Sequence, residues 1–178
     1  MIHELQYEDP LIQEIVQDYL LEQSKLLKNH DLNKILQENI KLLKEIDNSI
    51  EISLISDDKK VLFKCDREQI ARVFFNLIKN SIESIQQKAE NNANFNKKIT
   101  IEVNDSNNHI TINIKDNGIG FGIFAANIKD ILNPYFTTKK NGTGLGLSIV
   151  SKIINDHNGN IDFIALKDGA EIKINFNK

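Results

Sequence analysis

Cysteine is almost absent from this 178-residue chain, where Cys65 is the single example. One thiol permits neither an intramolecular disulfide nor a cysteine metal cluster, and it suits a reduced, cytoplasmic setting. Its context reads as a small apolar residue near a strand end. Arginine is scarce as well: Arg67 and Arg72 are the only two, so basic charge rests on lysine. Positive charge is not in surplus. The formal net charge of -3 gives no electrostatic reason to expect nucleic acid or an anionic membrane as a partner. No apolar run approaches the roughly 20 residues that a membrane helix needs. The start, Met1-Ile2-His3-Glu4, has no basic stretch followed by an apolar one and does not read as a signal peptide. Any membrane anchor of a longer protein is expected outside these residues.

What remains is enough for a packed core. Apolar residues make up 40% of the chain and charged residues 26%, close to the globular average. From Pro10 to about Asn29 helix formers dominate, and Ile12, Val16, Tyr19, Gln23 and Leu26 recur in steps of four and three. That is a coiled-coil-like seam with a polar interruption at Gln23. Leu11, Ile15, Leu20, Leu21 and Leu27 widen the apolar face, which favours a partner for this helix. Asn29-His30-Asp31 reads as a break, and Asp31 can cap a second helix. The stripe of that helix is Leu32, Ile35, Leu36, Ile40, Leu43 and Ile46. Glu51–Ser56 and Lys60–Cys65 read as two strands of a hairpin turning at Asp57-Asp58-Lys59. Asp66 can cap a third helix running to about Ala89, with Ile70, Val73, Phe74, Leu77, Ile78, Ile82 and Ile85 mostly on one face. Strands Ile99–Val103 and Ile110–Lys115 alternate as in a sheet covered on one side. Asp116–Gly146 reads as an irregular lid with one helical turn near Ile128–Leu132. A helix from Leu145 to about Asp156 follows. Strands Ile161–Leu166 and Ala170–Phe176, around the turn Lys167-Asp168-Gly169, close the chain. The sum is an α/β (α+β) two-layer sandwich: a mixed, mostly antiparallel sheet covered on one face by helices, preceded by an N-terminal helix.

Three segments carry chemistry. In Asn76-Leu77-Ile78-Lys79-Asn80-Ser81-Ile82-Glu83, steps of four and three put Asn76, Asn80 and Glu83 on one edge of a largely apolar helix. An amide is costly to bury unpaired, so two amides and a carboxylate in register suggest a ligand or a metal. Oxygen donors of this kind suit Mg²⁺, which keeps waters and shares phosphate oxygens. Taken alone, the stripe reads equally as a solvated polar edge. The second segment is Asp116-Asn117-Gly118-Ile119-Gly120, directly after a strand. A carboxylate there can accept from the amino group of a planar base, and the glycines let ligand and backbone approach closely. An ordinary Asp-Asn-Gly turn is the plainer reading of this segment by itself. The third is Asn141-Gly142-Thr143-Gly144-Leu145-Gly146-Leu147, opening a helix, with Lys139 and Lys140 just upstream. Glycines before a helix N-terminus expose N–H groups that suit phosphate. This is neither a Walker loop nor a dinucleotide Gly-x-Gly-x-x-Gly.

In order and spacing the three segments resemble the N, G1 and G2 boxes of the histidine-kinase branch of the ATPase superfamily shared with gyrase, a heat-shock chaperone and a mismatch-repair protein. Pro134-Tyr135-Phe136-Thr137-Thr138-Lys139 resembles the F box of nitrogen-regulation-type sensor kinases. Ile153-Ile154-Asn155-Asp156-His157-Asn158-Gly159 is similar to the helix-to-strand turn of that group, and Asp31-Leu32-Asn33 to the start of its catalytic domain. The resemblance covers roughly residues 31 to 178 and implies a Bergerat-type ATP-binding fold. It implies that Asn80, with Asn76, holds Mg²⁺ against the phosphates of ATP, beside Glu83 on the same helix edge. It implies that Asp116 accepts from the adenine amino group, with Gly118 and Gly120 shaping the pocket. Lys139 would meet the outer phosphates, and the backbone of Gly142, Thr143, Gly144, Leu145 and Gly146 would wrap them. Tyr135 and Phe136 would face a helical partner domain, and His157 would be structural. A histidine-bearing dimerisation domain and a response regulator are the partners implied, with no nucleic acid, and the setting implied is cytoplasmic.

The family's acceptor box reads His-Glu, two residues, then Asn-Pro. Here His3-Glu4 is followed by Leu5-Gln6-Tyr7-Glu8-Asp9-Pro10, so the proline comes too late and no asparagine precedes it. His3 is therefore not expected to be the acceptor. Residues 1–30 read as a helical remnant of a dimerisation hairpin, able to mediate a homodimer, followed by a catalytic domain over 31–178. The expected function is transfer of the ATP γ-phosphate to a histidine on a separate helical domain. The alternatives are a serine kinase of the anti-sigma-factor type and an ATPase or interaction module of the gyrase and chaperone branch. Both usually carry Glu where this chain has Asn76.

Overall fold

Alternating apolar residues build the sheet. β4 (Lys98–Asp105) buries Ile99, Ile101 and Val103, and β5 (His109–Asp116) buries Ile110, Ile112 and Ile114. β7 (Ala170–Asn177) repeats the pattern with Ile172, Ile174 and Phe176. A period of two turns one row towards the helices and leaves the other towards water. In the computed structural model, which describes residues 27–57, 60–92, 94–121 and 146–178, these strands form the centre of a five-stranded sheet. Its order is β2-β4-β5-β7-β6, with β2 (Glu51–Ser56) and β6 (Gly159–Ala165) at the edges. β2 runs parallel to β4, and the other neighbouring pairs are antiparallel. On the far face Lys115 lies 3.3 Å from Glu102 and 3.7 Å from Glu171, the charge ladder of a solvated surface.

Three helices among the described residues cover the other face: α1 (Leu32–Lys44), α2 (Arg67–Asn91) and α3 (Gly146–Asp156). Their apolar stripes merge with the inner row of the sheet into one core, in which Phe74, Leu77, Ile78 and Phe176 are fully buried. Each such side chain contributes roughly 1.5–3 kcal/mol relative to exposure. The two expected caps are in place. The Asp31 carboxylate accepts from the Asn33 N–H at 3.1 Å, and that of Asp66 accepts from Glu68 and Gln69 at 3.0 and 3.1 Å. The mixed, mostly antiparallel sheet under one helical layer is the two-layer sandwich expected from the sequence.

Two expectations are corrected. Lys28 and Asn29, expected as the end of a helix, belong to a strand, β1 (Lys28–Asp31), which pairs antiparallel with β3 (Leu62–Cys65). The segments 51–56 and 60–65 therefore do not form a hairpin with each other, because β2 pairs with β4 instead. The physical reason is burial together with one side chain. β2 buries Ile52 beside the inner row of β4. Asp31 accepts from the Val61 N–H at 3.2 Å while the Leu32 N–H donates to the Val61 carbonyl at 2.9 Å. Together these draw the approach to β3 onto β1. The seam expected from Pro10 to Leu26 and the helical turn expected at Ile128–Leu132 lie outside the described residues.

Cys65 is buried, and burial pushes its thiol up to about 11, so it serves as a small apolar residue with no thiolate at neutral pH. His157 is buried at the end of α3. Its Nε2 accepts from the Asp66 N–H at 3.1 Å, and its Nδ1 meets the Ile153 carbonyl at 2.7 Å. A backbone N–H can only donate, so the ring is neutral with its proton on Nδ1. His157 thereby ties the end of α3 to the cap of α2, the structural role expected of it. Replacing His157 by Leu removes the acceptor and strands a buried N–H, which costs about 1–3 kcal/mol. Urea unfolding of His157→Leu is expected to show a lower midpoint with an unchanged slope. An unchanged midpoint would show that the bond contributes nothing net.

Candidate functional site

The site is organised by a row along α2. Asn76, Asn80, Ser84 and Lys88 follow in steps of four, which places them above one another on a single helix edge. Asn76, Asn80 and Glu83 are half-buried, so the polar edge flanks the core without entering it. Lys79 lies 3.9 Å from Glu83. Ser81, beside Asn80, is buried and donates through its hydroxyl to Asp116 Oδ2 at 3.0 Å.

Asp116 ends β5 with its carboxylate turned inward, 7% exposed. The Gly118 N–H donates to its Oδ1 at 2.9 Å. Burial pushes this carboxyl above the usual range. The opposing effects, in descending order, are hydrogen bonds from Gly118, Ser81 and Ser84 and the charge of Lys88. A buried carboxylate with spare acceptor capacity at a strand end can take a hydrogen bond from a planar amino group, as its position in the sequence suggests.

The loop after Asp116 is held on α2 by close contact. The Ile119 N–H donates to the Ser84 carbonyl at 3.3 Å and to its hydroxyl at 3.1 Å. A Cβ on Gly118 would lie 2.2 Å from Ser84 Oγ and 2.6 Å from the Ser84 backbone carbon. Nothing larger than glycine allows that approach. Gly120 adopts a φ of 67° and abuts the carbonyl of Gly169. Asn117 faces away from α2. Its Oδ1 accepts from the Lys98 N–H at 2.9 Å, and its Nδ2 donates to the Asn96 carbonyl. An open groove of about 470 Å³ borders the back of the loop, lined by Lys88, Ile119, Phe121, Leu166 and Asp168 among others. Asn76, Asn80 and Asp116 do not line it.

The structure thus sets Asn76, Asn80 and Glu83 along α2 and brings Asp116 and Gly118 to the same helix through Ser81 and Ser84, with Gly120 against Gly169. Gly146 opens α3, and no atom of the described residues lies within 4 Å of where its Cβ would stand. Lys139, Gly142, Thr143, Gly144 and Leu145 lie outside the described residues. Sequence reasoning missed Ser81, Ser84, Lys88 and Gly169. Continuing the four-residue row past Asn80 would have found Ser84 and Lys88. Gly169 read only as a turn glycine.

Similarity to known proteins shows the family and the fold. The family of histidine kinase-, DNA gyrase B- and HSP90-like ATPases matches residues 65–178. The sensor histidine kinase ZraS of Escherichia coli K12 is 33% identical over 141 residues, covering 78% of this chain and 28% of that protein. A putative sensor histidine kinase, NtrY-like, of Rickettsia bellii is 35% identical over 151 residues, covering 84% of this chain and 23% of that protein. The chain therefore spans about a quarter of the length of these relatives. The solved catalytic domain of histidine kinase ThkA superimposes with a TM-score of 0.73 at 29% identity, covering 85% of this chain and 95% of that one.

The buried carboxyl predicts a pH dependence. Asp116 is raised in the fold, so its contribution to stability is present at acid pH and is lost as pH rises through its folded pKa. At neutral pH the buried charge is a cost. Asp116→Asn is therefore expected to raise the urea midpoint of the nucleotide-free protein at pH 7. That gain should shrink as the pH is lowered and the wild-type carboxyl takes up its proton. A lower midpoint at pH 7 would show that the hydrogen bonds from Gly118 and Ser81 outweigh desolvation.

Proposed function

The chain belongs to the histidine kinase-, DNA gyrase B- and HSP90-like ATPase family, and on that premise we propose that it is the ATP-binding catalytic domain of a two-component sensor histidine kinase. The domain extends over residues 31–178, and its substrates are ATP and a histidine on a separate helical domain. The observation that carries the reading is the inward Asp116 carboxylate at the end of β5, held by Ser81 next to Asn80 on the same helix. It supplies an acceptor for the adenine amino group, one residue along α2 from the amides assigned to the phosphate end. The relatives named as sensor histidine kinases support the acceptor class. The NtrY-like relative, with Pro134–Lys139, supports the nitrogen-regulation subgroup.

The amide oxygens of Asn76 and Asn80 suit Mg²⁺, a hard cation that shares phosphate oxygens and keeps its waters. When bound, it neutralises charge on the phosphates. Lys139 and the N–H groups of Gly142–Gly146 serve the outer phosphates. In the transfer a P–N bond forms between a neutral imidazole nitrogen and the γ-phosphorus, the bond to the β-phosphate oxygen breaks, and ADP leaves. A neutral ring nitrogen is already nucleophilic, so positioning and charge neutralisation suffice. Asn76 fits this chemistry, because an amide is no general base. An ATPase or serine kinase, whose nucleophile must lose a proton, needs a carboxylate there. The response regulator is the next acceptor in this reading.

Asn80→Ala is expected to leave the fold intact and remove most of the Mg²⁺ enhancement of ATP affinity, about tenfold, or ~1.4 kcal/mol. Isothermal titration with and without Mg²⁺ measures it, and equal enhancement in both proteins would remove Asn80 from the metal role. The acceptor is tested with labelled ATP and a separate histidine-bearing helical hairpin. Acid-labile, base-stable label is expected on the added histidine and none on this chain. His30 lies in β1, His109 opens β5 and His157 is buried, so none of the three stands on an exposed helix face. Acid-stable label on a serine partner would favour the anti-sigma-factor alternative. Label on this chain that disappears in His3→Ala would make His3 the acceptor.

A further inference from the structure

Lys88 makes contacts that nothing in the proposed chemistry requires. It closes the four-residue row of α2, two turns beyond Asn80. Its Nζ donates to the Asn117 carbonyl at 2.7 Å and to the Asp168 carboxylate, and lies 4.8 Å from the centre of the Phe95 ring. An ammonium has three donors and no acceptor, and a ring face within about 6 Å adds cation–π attraction. One side chain thus joins four elements: the last turns of α2, the connection to β4, the loop after β5 and the β6–β7 turn. That turn also presses directly on the loop. Gly169, at a φ of 99°, sits so close that a Cβ would lie 1.9 Å from the Asp116 carbonyl.

We propose that Lys88, anchored by Asp168 of the β6–β7 turn, is a positioning residue for the Asp116 carboxylate, fixing its orientation towards a base amino group. The assignment rests on the reading of Asp116 as the adenine acceptor. The bond to the Asn117 carbonyl fixes the Asn117–Gly118 peptide, whose N–H donates to Asp116 Oδ1 at 2.9 Å and so sets the direction of the carboxylate. The positive charge of Lys88 also favours the carboxylate over the acid, the least of the effects that oppose burial. The other charged groups around Asp116 act elsewhere. Lys98, at the start of β4, is exposed and presents its N–H to Asn117. Lys115 and Glu171 pair with each other on the far face of the sheet. Asp168 holds Lys88 and is itself largely exposed.

Lys88→Met keeps the length of the side chain and removes its charge, Lys88→Arg keeps the charge, and Asp168→Asn removes the counter-charge of Lys88. The readout is the carboxyl carbon signal of Asp116, followed by NMR against pH in the nucleotide-free protein. The titration is expected to move to higher pH in Lys88→Met, to return towards wild type in Lys88→Arg and to move to lower pH in Asp168→Asn. The acid limb of ATP affinity is expected to follow in the same directions. If Lys88→Met does not fold, the opposite movement in Asp168→Asn, an exposed position, still decides. An unmoved Asp116 titration with ATP affinity lowered equally at every pH would make Lys88 a structural residue only and overturn the proposal. A shifted titration in a protein that binds no ATP would leave Lys88 in its role and remove the nucleotide reading instead.

Discussion

The site depends on keeping one carboxylate out of water. Asp116 is the last residue of a strand whose other inward positions are isoleucines. An ionised carboxylate in such surroundings is stable only when hydrogen-bonded. Its partners must come from the helix packed above it and the loop that follows it. That requirement explains the small residues at this contact. Ser81 and Ser84 are short enough to let α2 lie against the loop and polar enough to donate to it. Gly118 removes the Cβ that would otherwise collide with the helix backbone. The buried charge costs stability that a neutral side chain would not cost. This is the pattern expected where function overrides local optimisation.

The rest of the architecture delivers these partners in register. Antiparallel pairing of β5 with β7 sets Asp116 opposite Ala170, so the β6–β7 turn arrives beside the loop. Pairing of β4 with β5 sets Ile99 opposite Asp116 and brings Lys98 to Asn117. At the other end of the helical layer, His157 fixes α3 to the cap of α2. α2 is thus held at its first turn by α3 and near its last turns by Lys88. The row between those anchors holds Asn76 and Asn80, half-buried, and Ser84, packed against the loop after β5.

Much of this was legible in the sequence, because its signals are local. The two aspartate caps, the stripe of α2 and the alternation in β4, β5 and β7 each follow from a period or a cap that a short window contains. The start of the polar row and the Asp-Asn-Gly segment were visible for the same reason. What was not legible is pairing at a distance. Two strands separated by a polar turn look like a hairpin. The choice of β2 for β4, and of β3 for β1, is made by inward burial of Ile52 and by Asp31 bonding across 30 residues to Val61. Lys88 was invisible for a related reason. A lysine near a helix end is usually a solvated charge, and only the fold brings Asn117, Phe95 and Asp168 to it.

The loop after β5 settles its own polar groups before any ligand arrives. The Asn117 N–H donates to the Lys98 carbonyl at 3.3 Å, its carbonyl receives Lys88, and its side chain bonds to the backbone on both sides of β4's start. Gly118 donates to Asp116, and Ile119 donates to Ser84. A carboxylate offers about four lone-pair sites, and Gly118, Ser81 and Ser84 take three. Among the described residues these leave acceptor capacity on a group whose direction is already fixed. Among the described residues, the loop up to Ile119 is already bonded in place, so a ligand amino group meeting the carboxylate orders little of this segment. An analogue without that donor leaves a buried charge one bond short, a larger loss than the bond itself would suggest. On the proposed reading of Asp116, discrimination at this end of the site rests on the acceptor capacity that the described residues leave unfilled.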